Sequence, residues 1–293
     1  MADTQVLVAG AGPTGLVLAL WLRRLGVAVR IVDRAAEPGT TSRALGVQAR
    51  TLEFYRQLGI AEPVVGRGLE FAAANLWARG RRAARAAFGE MGRGLSPYPY
   101  MLILPQDEHE RLLIDRLAAE GVAVERRTEF LGFEERDARV VARLRGPDGT
   151  EKLCEAEYLA ACDGARSQVR EAIGAGFPGG TYEHLFYVAD VQASGPVVDG
   201  ELHVALDESD FLAAFPMRGP GRVRLVGMAE APGSGRFAQA RSEEPRSAKW
   251  FKAALERRGF ASIKDTAGIR GRGFKGLRAL PPPAPPHWQD RDQ

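Results

Sequence analysis

The sequence predicts an α/β protein: a Rossmann-like nucleotide-binding domain carrying an inserted, mostly antiparallel β-sheet domain. Three observations point there. Residues 6–34, VLVAGAGPTGLVLALWLRRLGVAVRIVDR, form a complete strand–glycine turn–helix–strand unit. Apolar β runs and helical runs then occur together to about residue 176. From 177 to 232 the pattern changes to short β runs without helices between them: HLFYVADVQ, GELHVAL, FLAAFPMR and RVRLVGMAE. The expected division is a nucleotide-binding domain over 1–176, with 69–104 contributing to the second domain, a β domain over 177–265, and an irregular tail over 266–293.

Within the first unit each residue type has a physical task. QVLVAG is apolar on both faces, as a buried parallel strand requires. Gly10 permits the tight turn, Gly12 lets a diphosphate approach the backbone, and Gly15 lets the helix pack close to the strand. The helix they open offers free N–H groups and the positive end of its dipole to an anion. Pro13 and Thr14, between the last two glycines, belong to the same phosphate-facing turn. Asp33 lies 23 residues after Gly10 at the end of the second strand, where an acid can accept ribose hydroxyls, and Arg34 follows it. This much selects a dinucleotide and leaves NAD(P) and FAD both open. GRGFKG at 271–276 has the same glycine spacing but no strand before it and no apolar helix after it, so it is read as a decoy.

Composition excludes several classes. The 293 residues are 45% hydrophobic and 26% charged, with a net charge of +3, which is ordinary for a globular chain with ample core. Both charge signs are interspersed, so no nucleic-acid partner is expected. No apolar run approaches the length of a membrane span, and MADTQ has no basic leader pattern, so a cytoplasmic protein without membrane contact is expected. The two cysteines, Cys154 and Cys162, form no CxxC pair and read as buried strand residues; no metal site is expected. No Ser/His/Asp set or HExxH motif supports a hydrolase or metalloenzyme, and the histidines at 109, 184, 203 and 287 share no ligand spacing.

Further along, Leu52, Tyr55 and Leu58 fall at helical spacing before Gly59, and Leu113 and Leu117 share a face of a helix closed by Gly121. FAAANLWA, RAARAAF and YPYMLIL read as β pieces, with the arginines of 79–85 on a solvated hairpin edge. GPDG joins two strands as a hairpin. YLAAC is another buried run, ending at Asp163–Gly164 before the helix SQVREAIG. SAKWFKAALERRG reads as an amphipathic helix, and ALPPPAPPHWQDRDQ, with five prolines, can continue neither sheet nor helix.

Taken together, the glycine unit, SRALGVQARTLEFYRQLGI and YLAACDGARSQVREAIG resemble the class A flavoprotein monooxygenases. These are the aromatic hydroxylases built like p-hydroxybenzoate and phenol hydroxylase, and the likeness is to the bacterial aromatic-polyketide hydroxylases above all. The resemblance covers roughly residues 4–265. It implies a Rossmann-like FAD-binding domain with an inserted, mostly antiparallel β-sheet substrate domain, FAD as cofactor and NAD(P)H as a transient cosubstrate. Reduced flavin and O2 would hydroxylate a small aromatic substrate, phenolic or polyketide. By the same resemblance Gly10, Gly12 and Gly15 match the diphosphate loop and Asp33 the ribose acid. Arg43 matches an arginine reaching the cofactor phosphates, Gln106 a polar cofactor contact, and Asp163 and Gly164 the Asp-Gly motif that touches FAD. No general base is legible, so the catalytic residues stay unassigned.

One departure stands out. The family's further GD segment, rich in Ala, His, Pro and Gly, has no counterpart here; the chain runs instead into the proline-rich tail, which reads as a truncation or a shifted reading frame. Two alternatives therefore stay open beside the monooxygenase: another FAD-dependent oxidoreductase on the same fold, and a non-catalytic remnant.

Overall fold

A computed structural model describes residues 3–39, 44–71, 73–78, 81–88, 92–179, 185–195, 197–207, 210–229 and 262–264. Arg43, the amphipathic run at 247–259, the 271–276 glycines and the tail from 266 lie outside the described residues. By Cα packing the chain divides into two units, one of 1–45, 54–64 and 104–177, the other of 46–53, 65–103 and 178–293.

The first unit is a doubly wound sheet. Strand β1 (Thr4–Ala9) leads through helix α1 (Pro13–Arg24) to β2 (Val29–Asp33). Helix α4 (Gln106–Ala119) precedes β8 (Val124–Arg126), and β9 (Glu129–Arg136), β10 (Arg139–Arg145) and β11 (Glu151–Ala161) follow as a meander. The sheet order is β8-β2-β1-β11-β10-β9. β1 pairs in parallel with both β2 and β11, and β2 with β8, so the carboxyl ends of four strands share one edge. The GPDG turn joins β10 to β11, with Gly149 at φ +80° closing on the Gly146 carbonyl.

Leu7, Ala9, Val32, Phe130, Ala142, Cys154, Ala156 and Val169 form the apolar core of this unit. Helix α2 (Ala49–Gln57) buries Leu52 and Tyr55 as its spacing predicts. A further helix, α3 (Ala61–Arg67), has no clear sequence signal because Pro63 falls within it; in the first turn a proline costs no hydrogen bond. Cys154 is buried on β11, but Cys162 departs from expectation. It is half-buried and follows the last residue of that strand, because the chain must turn there to bring its carbonyl against Gly10.

The second unit holds a seven-stranded sheet of order β16-β12-β15-β14-β13-β5-β6. Its strands are β5 (Ala73–Ala78), β6 (Arg81–Ala87), β12 (Leu185–Ser194), β13 (Leu202–Asp207), β14 (Asp210–Pro216), β15 (Arg222–Ala229) and β16 (Ser262–Lys264). All its pairings are antiparallel except β13 with β5, where the hairpin from the first half of the chain joins the strands of the second half. A three-stranded sheet of β3 (Gly46–Val47), β7 (Met101–Ile103) and β4 (Leu69–Phe71) completes the unit. The β run expected over YPYMLIL is thus a strand only from Met101. Helix α5 (Gln168–Ala172), in the first unit, is the one expected after Asp163–Gly164.

Candidate functional site

In the first sheet β1 has β2 on one side and β11 on the other, so the chain winds in opposite directions from it. Such a switch point leaves a crevice at the carboxyl ends of the strands. Here the crevice is a cleft of about 70 Å³ whose walls include Gly10, Asp33, Arg34, Thr128, Asp163 and Arg166. Four residues expected at a cofactor site from the sequence are therefore brought together: Gly10, Asp33, Arg34 and Asp163.

The glycine turn explains its own composition. Gly10 has φ +102°, and a Cβ there would collide with the Cys162 carbonyl and the Asp163 amide nitrogen. A Cβ on Gly15 would strike the Gly10 carbonyl, so α1 starts hard against the turn. Around Gly12, by contrast, a Cβ would meet nothing within 4 Å. Gly12 caps α1 with extended backbone (φ −76°, ψ 178°), Pro13 takes the first helical position, and no side chain caps the helix end. Its amides, with Thr14 exposed beside them, are left for an anion.

Asp33 Oδ2 accepts the Ala11 amide and Oδ1 the Ala35 amide, each at 2.7 Å. The Gly10 amide donates to the Val32 carbonyl at 2.8 Å, and Thr128 to the Asp33 carbonyl at 3.0 Å. These bonds hold the ends of β1 and β2 to the turn after β8, where Arg127 takes a left-handed φ of +53°. Arg126 Nη1 lies 3.8 Å from Asp33 Oδ2, and its Nη2 is buried without a partner.

Asp163 faces the cleft from the end of β11. Its Oδ2 accepts the amides of Gln168 at 2.7 Å and Val169 at 3.3 Å, in the first turn of α5 that Ser167 caps, across a 3-10 turn, Gly164–Arg166, that begins with Gly164 at φ +78°. Its Oδ1 is buried and has no hydrogen-bond partner. A buried carboxylate oxygen left unsatisfied costs stability, so it marks a place for a donor from outside the chain. The uncapped helix end and this acceptor fit a ligand carrying both phosphate and hydroxyl groups, which FAD has.

Gln106 stands apart from the cleft walls. It begins α4, its amide donates to the Ala44 carbonyl at 3.1 Å, and its Nε2 donates to Glu110 Oε1 at 2.8 Å. Thr128, Arg166 and Gln168 were not legible as cleft residues, nor Arg126 as a neighbour of Asp33. Arg166 and Gln168 lie in DGARSQ just beyond the Asp-Gly pair, a signal an extended motif would carry. Nothing local marks Arg126 or Thr128, which reach Asp33 only because β8 pairs with β2.

A family model described as FAD binding domain matches residues 3–261. The chain belongs to this FAD-binding family, that of the class A aromatic hydroxylases. Among its relatives, the 6-methylpretetramide 4-monooxygenase of Streptomyces rimosus is 38% identical over 222 residues, 76% of this chain and 39% of that protein. The structure of p-nitrophenol 4-monooxygenase from Pseudomonas putida matches with TM-score 0.75 at 21% identity, over 89% of this chain and 67% of that one, a likeness of fold. A ternary complex of aklavinone-11 hydroxylase with FAD and aklavinone matches with TM-score 0.71 at 25% identity, over 90% of this chain and 53% of that one. The chain spans between 39% and 49% of the length of several curated family relatives. Among the described residues no helix is long and apolar enough to cross a membrane.

Proposed function

We propose that this chain binds FAD in the first unit and serves an NAD(P)H- and O2-dependent monooxygenase that hydroxylates a small aromatic ring, phenolic or polyketide. The observation that carries the reading is the unpartnered Asp163 Oδ1 in the same cleft as the Gly10 turn and Asp33, within a chain whose family is FAD-binding. Relatives named as a 6-methylpretetramide 4-monooxygenase, an anhydrotetracycline 6-monooxygenase and an aklavinone 12-hydroxylase support the substrate class.

In this reading the free amides of Gly12, Thr14 and Gly15 take the diphosphate, because they are uncapped and at the positive end of the α1 dipole, while Pro13, which has no N–H, sets the turn that presents them. Asp33 accepts ribose hydroxyls through the lone pairs its two backbone bonds leave free, with Arg34 at the cleft wall. Asp163 accepts a cofactor donor at Oδ1, and Gly164 gives the turn that points it inward. Arg43 and Gln106 are assigned cofactor contacts by family likeness alone. FAD, when bound, supplies the electron transfer from NAD(P)H and the oxygen chemistry. The chain's own work is binding, orientation and exclusion of water.

The test is titration of the purified chain with FAD and with NAD, followed by NAD(P)H oxidation and oxygen uptake with and without a phenol. Flavin binding that NAD does not displace, with phenol-stimulated oxygen uptake, is expected. Occupation by NAD in preference to FAD overturns the cofactor assignment.

A further inference from the structure

The second unit has a larger cavity, about 220 Å³, that neither the glycine motif nor the first cleft explains. Val197, Val198, Ala214, Met217 and Val223 give it apolar walls, and Glu201, Arg218 and Arg222 charged ones. Much of the wall is the segment 197–201, which has no regular secondary structure and is held by the Val198 amide on the Gly195 carbonyl and by side chains. Glu201 accepts Asn75 Nδ2 at 2.7 Å and pairs with the Arg85 guanidinium. Asp199 Oδ1 accepts the Glu201 amide at 2.9 Å and lies 2.8 Å from His203 Nε2.

His203 is 5% exposed on β13, and its second ring nitrogen, Nδ1, lies 2.9 Å from Trp77 Nε1. An indole N–H can only donate. Nδ1 is therefore the bare nitrogen, and Nε2 carries the hydrogen that it donates to Asp199. The ring is neutral, in one tautomer, with one donor and one acceptor both engaged. A second proton, on Nδ1, would face the indole N–H and break that bond, while leaving the bond to Asp199 in place. The charged groups around the ring are Asp199, Glu201 and, behind Glu201, Arg85; its cross-strand neighbours Asn75 and Ala214 are neutral. Burial works against the Asp199 charge, yet the bonds from His203 and the Glu201 amide hold its carboxyl below the ordinary range. Trp77 and Val198 pack on the same apolar cluster, which includes Val197, Ala214 and Val223 of the cavity wall.

We propose that His203 is a positioning residue for this cavity: neutral, it fixes the Trp77 indole on one side and, through Asp199, the wall segment 197–201 on the other, in the shape that takes a planar phenolic ring. The ligand class rests on the hydroxylase reading above; the positioning role rests on the hydrogen bonds alone.

The test uses 2-naphthol as a two-ring phenol, titrated calorimetrically into the FAD-supplemented chain at about pH 8. His203→Gln can accept from Trp77 through Oε1 and donate to Asp199 through Nε2. The wild type should bind, His203→Gln should stay within about threefold of it, and His203→Ala should be about tenfold weaker, a loss typical of one buried hydrogen bond. Wild-type protein that binds no 2-naphthol, folded His203→Gln that binds about tenfold or more weakly, or folded His203→Ala with unchanged affinity each overturns the proposal. If His203→Ala does not fold by circular dichroism, the His203→Gln affinity decides. FAD binding is scored in the same samples: FAD without 2-naphthol binding sinks this inference alone, and 2-naphthol without FAD binding sinks the cofactor assignment alone.

Discussion

Asp33 Oδ2 accepts the Ala11 amide at 2.7 Å, so the acid at the end of β2 clamps the glycine turn that follows β1. The same carboxylate takes the Ala35 amide through its other oxygen. Asp33 is thus a structural residue as well as a proposed ribose acceptor. Asp33→Ala should lower the stability of the FAD-free chain by about 1–3 kcal/mol and weaken FAD binding besides. Asp33→Asn, which keeps one oxygen, should lose less of the former. Urea unfolding without cofactor reads the first effect and flavin titration the second; Asp33→Ala with unchanged urea midpoint would exclude the clamp.

Gly10 and Gly12 should separate cleanly. Gly10→Ala puts a Cβ into the Cys162 carbonyl at a backbone angle of φ +102°, and should cost about 2 kcal/mol or more in stability. Gly12→Ala meets nothing within 4 Å, so the fold should tolerate it, with an unfolding free energy within about 0.5 kcal/mol of the wild type. FAD affinity should nevertheless drop about tenfold or more, because the methyl group stands where the diphosphate must approach. A Gly12→Ala chain with wild-type flavin affinity places the diphosphate elsewhere.

Asp163 serves two partners with two oxygens. Asp163→Ala removes the acceptor of the Gln168 and Val169 amides, leaves the Ser167 cap of α5 in place, and should cost about 1 kcal/mol, whereas Asp163→Asn keeps an oxygen for those amides. Both should weaken FAD binding, since the unpartnered Oδ1 is lost or becomes a donor. Equal flavin affinity in wild type and Asp163→Asn would show that Oδ1 takes no cofactor donor.

Tyr55 and His109 form a buried pair, hydroxyl to Nε2 at 2.8 Å. Burial pushes the His109 imidazole down to about 4 from an ordinary 6.5. The unfolded chain therefore takes up a proton between those values that the folded chain refuses. Stability is fully present above about pH 6.5 and should fall by roughly 2–3 kcal/mol as pH drops to about 4. His109→Gln should flatten this part of the curve, whatever its effect at neutral pH. An identical acid-side slope in wild type and variant, measured by urea unfolding at stepped pH, would assign the loss to other groups.

The sequence alone determined the local units, because their signals are local. The β1 run, the three glycines, the α1 helix and Asp33 occur within one stretch of the chain, and each residue type is required by the backbone beside it. The helices at Leu52 and Leu113, the GPDG hairpin and the strand leading to Asp163 were legible for the same reason, through periodicity and turn chemistry. Only the tertiary structure decided which of these meet. Asp163 faces Gly10 because β11, more than 140 residues later, pairs in parallel with β1. Arg126 approaches Asp33 because β8 pairs with β2, and Trp77 bonds His203 because β5 pairs with β13 across 126 residues. Strand pairing over such separations is settled by burying apolar faces common to many sequences, so no short motif announces it. The residues that pairing brings together, and their hydrogen-bonding states, are consequences of the folded sheet.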